Sequence, residues 1–566
     1  VSGEVTRQLP ALDDQNTFFW TSGEDGKLRI QRCSDCGELR HTPAPVCPYC
    51  KSFEWAPAEV SGKGTIVALT VNHHQWMPGF PPPFILALVA IDEDDRVRLT
   101  TNIVNVPLDE AFIGQRVQVA FEQQDGVWFP VFEPTGETDS AGKPVEGPIP
   151  REDPRVRQVR PMPKAGDKFE DKVAITGIGI SQVGRRLMRE PITLTVEAAL
   201  AAIEDAGLTL DDIDGLATYP GGLAGAGGMS EGGVMPLEEA LRIRPTWHHS
   251  GMETPGQTGS VVAAMLAVAG GLCNHVLCFR TVTEASSLAR ARSAAPGTGS
   301  AAAAMFSNKR IEGDMAWRLV YGAGSAANWI GMMANTHFKL YGTTRETLGW
   351  IALTARKHAA LNPIAIYTDP LTMDDYLSAR MISTPFGLYD CDVPMDGAVA
   401  VIVSRRDIAG DLRQPPVHVE AVGTQVTERI SWDQGVVDHE PLVIGAARHL
   451  WTRTDLTPDD MQFAQLYDGF SFNCLTWLES LGFCGTGEAK DFLAGGENIS
   501  LGGKLPLNTH GGQLSAGRLH GYGFLHEAVL QLRGQAEGRQ VENAEVGVVS
   551  NGGGTPGGAM ILKAAR

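Results

Sequence analysis

Residues 465–473 read QLYDGFSFN. An apolar run precedes them, and CLTWLESLGF (474–483) behind them has helical character. Tyr467 and Asp468 are therefore expected where a buried strand stops and a helix starts, the edge at which open α/β sheets bind ligands. A tyrosine placed there either packs with its hydroxyl satisfied or moves a proton. Asp468 is expected to cap the following turn.

Working outward, the same grammar recurs. KVAITGIGIS (172–181) reads as a buried strand, and LTVEAALAAIEDAG (194–207) as an amphipathic helix closed by Gly207. DDIDGLATYP (211–220), NHVLCFRTV (274–282) and DGAVAVIVSR (396–405) read as strands, GSVVAAMLAVAGG (259–271) as an apolar helix. PVHVEAVGTQ (416–425), QFAQLYD (462–468), LHEAVLQLRG (525–534), AEVGVVSNGGG (544–554) and GGAMILKA (557–564) repeat the alternation more compactly. Two such halves, 172–410 and 411–566, predict a duplicated α/β fold. The segment 283–385 is long for a connection and is expected to be an inserted cap that faces substrate.

The chain ahead of this core has another texture. Within 1–57, after a short predicted helix, comes CSDCGELRHTPAPVCPYC. Cys33, Cys36, Cys47 and Cys50 have the spacing of a four-thiolate zinc site. Such a site has no open coordination position, so its zinc is structural. Residues 58–134 hold five short alternating stretches from GTIVALTVNH (64–73) to WFPVFEP (128–134), which suggests a small OB-fold barrel. Residues 135–171 are rich in proline, glycine and charge and read as an extended linker.

The net charge is −19, and 1–135 alone carry 10 Lys/Arg against 18 Asp/Glu, so nucleic acid is not expected as a partner. No run is long and apolar enough for a membrane span. VSGEVTRQLPALDD lacks the basic and apolar regions of a signal peptide. The five cysteines outside the zinc cluster are scattered, which points to a reducing, cytoplasmic setting. IDEDDR (91–96) and the pair His248–His249 lack the spacing of metal ligands.

In combination, GQTGSVVAAMLAVAGG (256–271), DGAVAVIVSR, LYDGFSF (466–472), LNTHGGQLSAGRLHG (507–521) and VVSNGGGTPGGA (548–559) resemble the thiolase superfamily, close to its sterol-carrier-protein-x or lipid-transfer-protein branch. The N-terminal part resembles the zinc-ribbon/OB-fold proteins that accompany acyl-CoA-handling thiolase-like enzymes. The resemblance implies a five-layer αβαβα fold and a homodimer. Thiolases use two cysteines and two histidines, and all four positions differ here. The nucleophile's place falls on Gly256, the histidines' places on Tyr467 and Arg518, and the second cysteine's on Ser550. Without a thiolate, acyl transfer to the protein has no nucleophile.

The resemblance to steroid side-chain aldolases of that branch implies a different reaction. There a β-hydroxyacyl-CoA is cleaved between Cα and Cβ without a covalent intermediate, and a tyrosine takes the place of Tyr467. Coenzyme A enters as part of the substrate. Tyr467, Arg518, His520, Tyr522 and His510 are the candidates for proton transfer and oxyanion contact. Gly256, Gly259, Gly511, Gly512, Ser550, Asn551 and Gly552 are the candidate lining, with backbone donors at the helix start and in the glycine turns. Arg518 cannot act as a base, but it can lower a neighbour's pKa. His520 has the ordinary pKa for acid/base work. Arg280, Arg290 and Arg292 are candidates for the CoA phosphates. A hydratase is a candidate partner. The rival readings are a non-catalytic acyl-CoA-binding scaffold and a thiolase that uses a displaced cysteine.

Overall fold

The computed structural model describes residues 6–77, 79–149, 167–222, 226–294, 310–427, 429, 432–553 and 557–565. Part of the expected linker (150–166), part of the expected cap (295–309) and Gly554 lie outside the described residues.

Strands β1 (Leu28–Cys33), β2 (Leu39–Arg40) and β3 (Trp55–Val60) form a small antiparallel sheet that carries the cysteine knuckles. Next come β4 (Lys63–Asn72), β5 (Phe84–Ile91), β6 (Asp94–Ile103), β7 (Arg116–Gln124) and β8 (Val127–Pro134). Pairing of β4 with both β5 and β7 closes them into a barrel. Burial along β4 to β6 is nearly continuous because other parts of the chain cover the barrel.

The core sheet opens with β9 (Val173–Ile180), β10 (Gly215–Thr218), β11 (Trp247–Ser250) and β12 (His275–Thr283). Strands β13 (Met381–Ser383) and β14 (Phe386–Gly387) leave it to join the barrel at β4. It continues with β15 (Asp396–Arg405), β16 (Val417–Gly423), β17 (Phe463–Gln465), β18 (Val546–Asn551) and β19 (Gly558–Ala564). The order is β11-β10-β12-β15-β9-β16-β19-β18-β17. In the first half β10 runs parallel to β12, which is antiparallel to β15. In the second half β17 runs parallel to β18, which is antiparallel to β19. The halves meet where β9 pairs with β16, so the expected duplication is visible in the sheet itself.

The longer helices are α1 (Pro191–Ala206), α2 (Val234–Leu241), α3 (Gly259–Ala269), α4 (Glu284–Ala294), α5 (Ala326–Tyr341), α6 (Arg345–Ala359), α7 (Pro441–Trp451), α8 (Ser471–Leu481) and α9 (Tyr522–Arg533). Helices α1 and α2 cover one outer face, and α7 and α8 cover the other. Helices α3 and α9 lie between the half-sheets and start side by side, where Tyr522 Oη and Ser260 Oγ are 2.7 Å apart. The result is the five-layer arrangement. Helix α3 is apolar nearly all round and mostly buried, with Leu266 the exposed exception.

The expected cap is largely a joint. Helix α5 lies on β4, where Asn335 Nδ2 donates to the carbonyls of Leu69 (2.8 Å) and Thr384 (2.9 Å). Asn72, fully buried, accepts from Asn328 Nδ2 (3.0 Å) and Trp76 Nε1 (2.8 Å). Arg7 reaches from the N-terminal segment to Asn102 of the barrel and to the Val320 carbonyl, each at 2.8 Å. A strand edge must be paired or covered, and 310–387 does both for β4.

Asn72→Ala should remove the acceptor of Trp76 Nε1 and one of the two acceptors of Asn328 Nδ2, and cost about 1–3 kcal/mol. Urea unfolding followed by tryptophan fluorescence and circular dichroism checks this. Because the joint is shared, barrel and core signals should move together.

Candidate active site

Strand β17 ends at Gln465 and α8 begins at Ser471, so Tyr467 and Asp468 sit on the intervening turn. The Tyr467 N–H donates to Ser550 Oγ at 3.0 Å. Asp468 does not cap the helix; Asn473 does, accepting the Phe470 N–H at 2.7 Å. Asp468 instead accepts the Gln513 N–H (2.8 Å) and Asn508 Nδ2 (3.0 Å). It pins the 508–513 loop to the strand end. Gly512 has φ +59°, and a Cβ there would overlap the Asp468 carboxylate, so only glycine fits. Burial lifts the Asp468 pKa to about 7, against its hydrogen bonds.

The loop after this turn brings Arg518 between two carboxylates, the buried Glu284 and the largely buried Asp392. Its guanidinium donates to Glu284 at 2.7 and 2.5 Å and to Asp392 at 3.1 Å. Burial opposes the charge, but Asp392 and Glu284 more than offset it, so Arg518 stays cationic. One cation serves two anions. Burial, with Glu284 nearby, lifts Asp392 to about 7 despite the contact with Arg518. Tyr467 is within electrostatic reach of both Asp392 and Arg518. Burial and then Asp392 push its pKa well above the ordinary phenol value, while Arg518 and Gln513 only partly oppose this. Tyr467 is therefore a neutral phenol and a hydrogen-bond donor. Asp392, Glu284 and Gln513 were not singled out in the sequence. Asp392 stands in CDVPMDG, on a loop from the other half of the fold, with no spacing that ties it to Arg518.

The neighbouring candidates take other places. Tyr522 is fully buried against Ser260, and burial raises its pKa far out of working range. His520 Nδ1 accepts from Arg280 at 2.7 Å, and burial, Arg280 and Arg518 hold its pKa well below the usual imidazole value. Neither can exchange a proton near neutrality. Arg280 is buried rather than at a cleft mouth, and it also holds the Tyr219 carbonyl at 2.9 Å. Arg290 and Arg292 are exposed on α4. His510 is driven down to about 4 by burial, so it is a neutral ring stacked edge-on to Phe524, which Tyr467 also touches.

The nucleophile's place is filled from elsewhere. Gly256 has φ +68°, and a Cβ on it would overlap the Asn551 side-chain oxygen. Asn551 is fixed there by Thr258 and by the Gly558 carbonyl (3.1 Å). Several expected backbone donors are engaged within the protein. The Gly259 N–H goes to Gly256 O (3.1 Å), Gly511 to Asn508 O (2.8 Å) and Gly552 to Gln257 Oε1 (2.9 Å). Gln513 Nε2 and His510 Nδ1 are buried without a partner of normal hydrogen-bond geometry, although Gln513 lies near enough to the Tyr467 hydroxyl to oppose its raised pKa. Cys391, beside Asp392, and Cys474 are pushed far up by burial and are not thiolates.

Two clusters have ligand-like geometry. In the zinc ribbon, Cys33 and Cys50 sulfurs are 3.5 Å apart and Cys36 and Cys47 sulfurs 3.6 Å apart, close to a tetrahedral edge of about 3.8 Å around zinc. Gly37 and Lys51, both at positive φ, close the two knuckles. His337, His439 and Glu479 form the second cluster, fully buried between α5 and α8. There burial opposes charge on His439, but Asp438 and Glu479, the latter at 2.6 Å, lift its pKa to about 9. The second cluster is an internal ion-pair network. No helix among the described residues is long and apolar enough to cross a membrane.

Gly256→Cys should not create a thiolase. The side chain has no room beside Asn551, so the variant should lose about 1–3 kcal/mol of stability. It should show no CoA-dependent thiolysis of acetoacetyl-CoA above the parent protein, read by loss of the β-ketoacyl absorbance.

Three family models match the chain: "ChsH2, rubredoxin-like zinc ribbon domain" over 20–56, "ChsH2, C-terminal OB-fold domain" over 58–122 and "Thiolase C-terminal domain-like" over 442–562. The chain is 35% identical over 399 residues to the 17-hydroxy-3-oxo-4-pregnene-20-carboxyl-CoA lyase of Mycobacterium tuberculosis, covering 69% of this chain and 99% of that one. It is 35% identical over 399 residues to the steroid side-chain-cleaving aldolase of Thermomonospora curvata, covering 69% and 98%. The solved structure of an Ltp2-ChsH2(DUF35) aldolase superposes with a TM-score of 0.59 at 33% identity, over 70% of this chain and 98% of that chain. The chain belongs to the thiolase superfamily, in its lipid-transfer-protein branch with the steroid side-chain-cleaving aldolases, and carries a zinc ribbon and an OB-fold barrel ahead of the thiolase fold.

Proposed function

We propose that the protein is an acyl-CoA retro-aldolase. It cleaves the Cα–Cβ bond of a β-hydroxyacyl-CoA with a steroid or other lipid side chain, to give a ketone or aldehyde and a shorter acyl-CoA. The observation that carries this reading is Asp392, a buried carboxylate near pKa 7, set beside Tyr467 and Arg518 where no protein nucleophile can stand.

In this reading Asp392 accepts the β-hydroxyl proton. The O–H electron pair becomes the carbonyl of the leaving ketone. The Cα–Cβ electrons move into the thioester as an enolate. The Tyr467 hydroxyl and Gln513 Nε2 donate to the enolate oxygen, where negative charge grows. The protonated Asp392 then returns its proton to Cα, which restores the carboxylate, and the shorter thioester leaves. Arg518 balances the carboxylates without joining the transfer. No redox step or co-reactant is needed.

A hydratase fits as supplier, because adding water to an enoyl-CoA installs the β-hydroxyl. A homodimer through the thiolase core and the domain limits given above belong to the same reading. The four cysteines hold one structural zinc, so metal analysis should find one zinc per chain. Cys36→Ser should lose it and lower the melting temperature of the whole protein, because the ribbon packs on the joint.

Incubation with a β-hydroxyacyl-CoA should release ketone and short acyl-CoA by mass spectrometry. Asp392→Asn should lower kcat by about 10²–10⁴, and Tyr467→Phe by about 10²–10³. Protonated Asp392 is no base, so kcat/KM should fall as pH drops through about 7. That limb should vanish in the residual activity of Asp392→Asn. Unaltered cleavage by both variants would sink the assignment.

A further inference from the structure

A cavity of about 990 Å3 opens where the zinc ribbon, the barrel and residues 434–438 meet. Its size is at the upper end of ordinary small-ligand sites, about 300–1,000 Å3. Arg40 of β2 lines it and is only 7% exposed. The Nε, Nη1 and Nη2 atoms of Arg40 are all buried, and none has a hydrogen-bond partner. A buried guanidinium without an anion is costly. Its planar fork of donors matches a phosphate. Two further guanidiniums stand on the same wall: Arg98 donates to the Gly435 carbonyl, and Arg429 to the His41 carbonyl at 3.3 Å.

The acidic lining is largely committed. Glu38 and Asp94 pair with Arg96 at 2.7 and 2.6 Å. Asp438 accepts the Tyr341 hydroxyl at 2.5 Å and faces His439. The rest of the wall includes Val97, Val436, Val437 and the ring of Tyr49. Four arginines and four carboxylates line the cavity, Asp95 among them, so its cationic character is local to Arg40, Arg98 and Arg429. The loop that forms one wall leads toward the reaction site. Two residues after Asp438, Glu440 accepts Asn473 Nδ2 at 2.6 Å at the start of α8, within electrostatic reach of Tyr467.

We infer that this cavity takes the phosphorylated nucleotide end of the acyl-CoA, with Arg40 of the zinc ribbon on a phosphate. The pantetheine arm then follows residues 436–440 toward Tyr467. This rests on the acyl-CoA reading above, and it makes the N-terminal part a wall of the substrate site.

The test uses the full chain with CoA itself as probe. Arg40→Met keeps the apolar stem and removes the unpaired charge. Calorimetry should show CoA binding at least about tenfold weaker than for the parent. The KM for a β-hydroxyacyl-CoA should rise in step while kcat holds. The unliganded variant should melt no lower than the parent. As a check that needs no variant, CoA should slow hydrogen exchange over 38–49 and 434–438 of the parent protein. Unchanged affinity in Arg40→Met, or no protection of those segments by CoA, overturns the inference. The two readings fail separately. Arg40-dependent CoA binding without cleavage keeps this site and removes the aldolase, whereas cleavage with an Arg40-independent KM does the reverse.

Discussion

Arg518 lies between Glu284 and Asp392, with its guanidinium bonded to both, and keeps only a minor part of its side chain exposed. Burial lifts the Asp392 pKa to about 7, and because Arg518 is shared with Glu284 it does not pull the carboxyl back down. The three residues come from the start of α4, the loop before β15 and the loop before α9. The duplicated sheet gathers those loops at one edge. Tyr467 is neutral because burial, and after it the nearby Asp392, push its pKa up. In the proposed reaction the pair divides the work, a carboxylate that accepts a proton and a neutral phenol that gives a hydrogen bond.

Close packing sets the second constraint. In a thiolase-like frame the start of α3 would present a thiol. Here the Asn551 side chain occupies that volume and ties α3 to β18. A fold built to hold a covalent acyl group has become one that can only hold charge. The same economy shows in the 508–513 loop, whose glycines press against Asp468 and Ala359 instead of opening donors to a ligand. The buried nitrogens without a partner of normal geometry are on side chains, Gln513 Nε2 and His510 Nδ1.

Much of the architecture was legible in the sequence because local chemistry specifies it. Paired cysteine knuckles, alternating strands and the recurring strand–helix pattern each follow from neighbours in the chain. Tyr467 was also legible, because a strand end before a helix is a local feature. The rest depended on long-range encounters. His520 and Tyr522 have suitable chemistry, but Arg280 and Ser260, more than two hundred residues away in the chain, take them out of use. Asp392 looks like any loop aspartate until Arg518 arrives. The segment 283–385 was read as a cap because its length was visible and its strand pairing with β4 was not.

The central claim is that carbon–carbon cleavage proceeds through an enolate held without a covalent bond to the protein. Cleavage of a β-hydroxyacyl-CoA in D2O, with no free CoA added, tests it most directly. The account predicts a shorter acyl-CoA with a single deuterium on its α-carbon, formed in step with the ketone, and no acylated protein in intact-mass spectra. Product that appears only when free CoA is supplied, or a mass increase on the protein matching an acyl group, would contradict it.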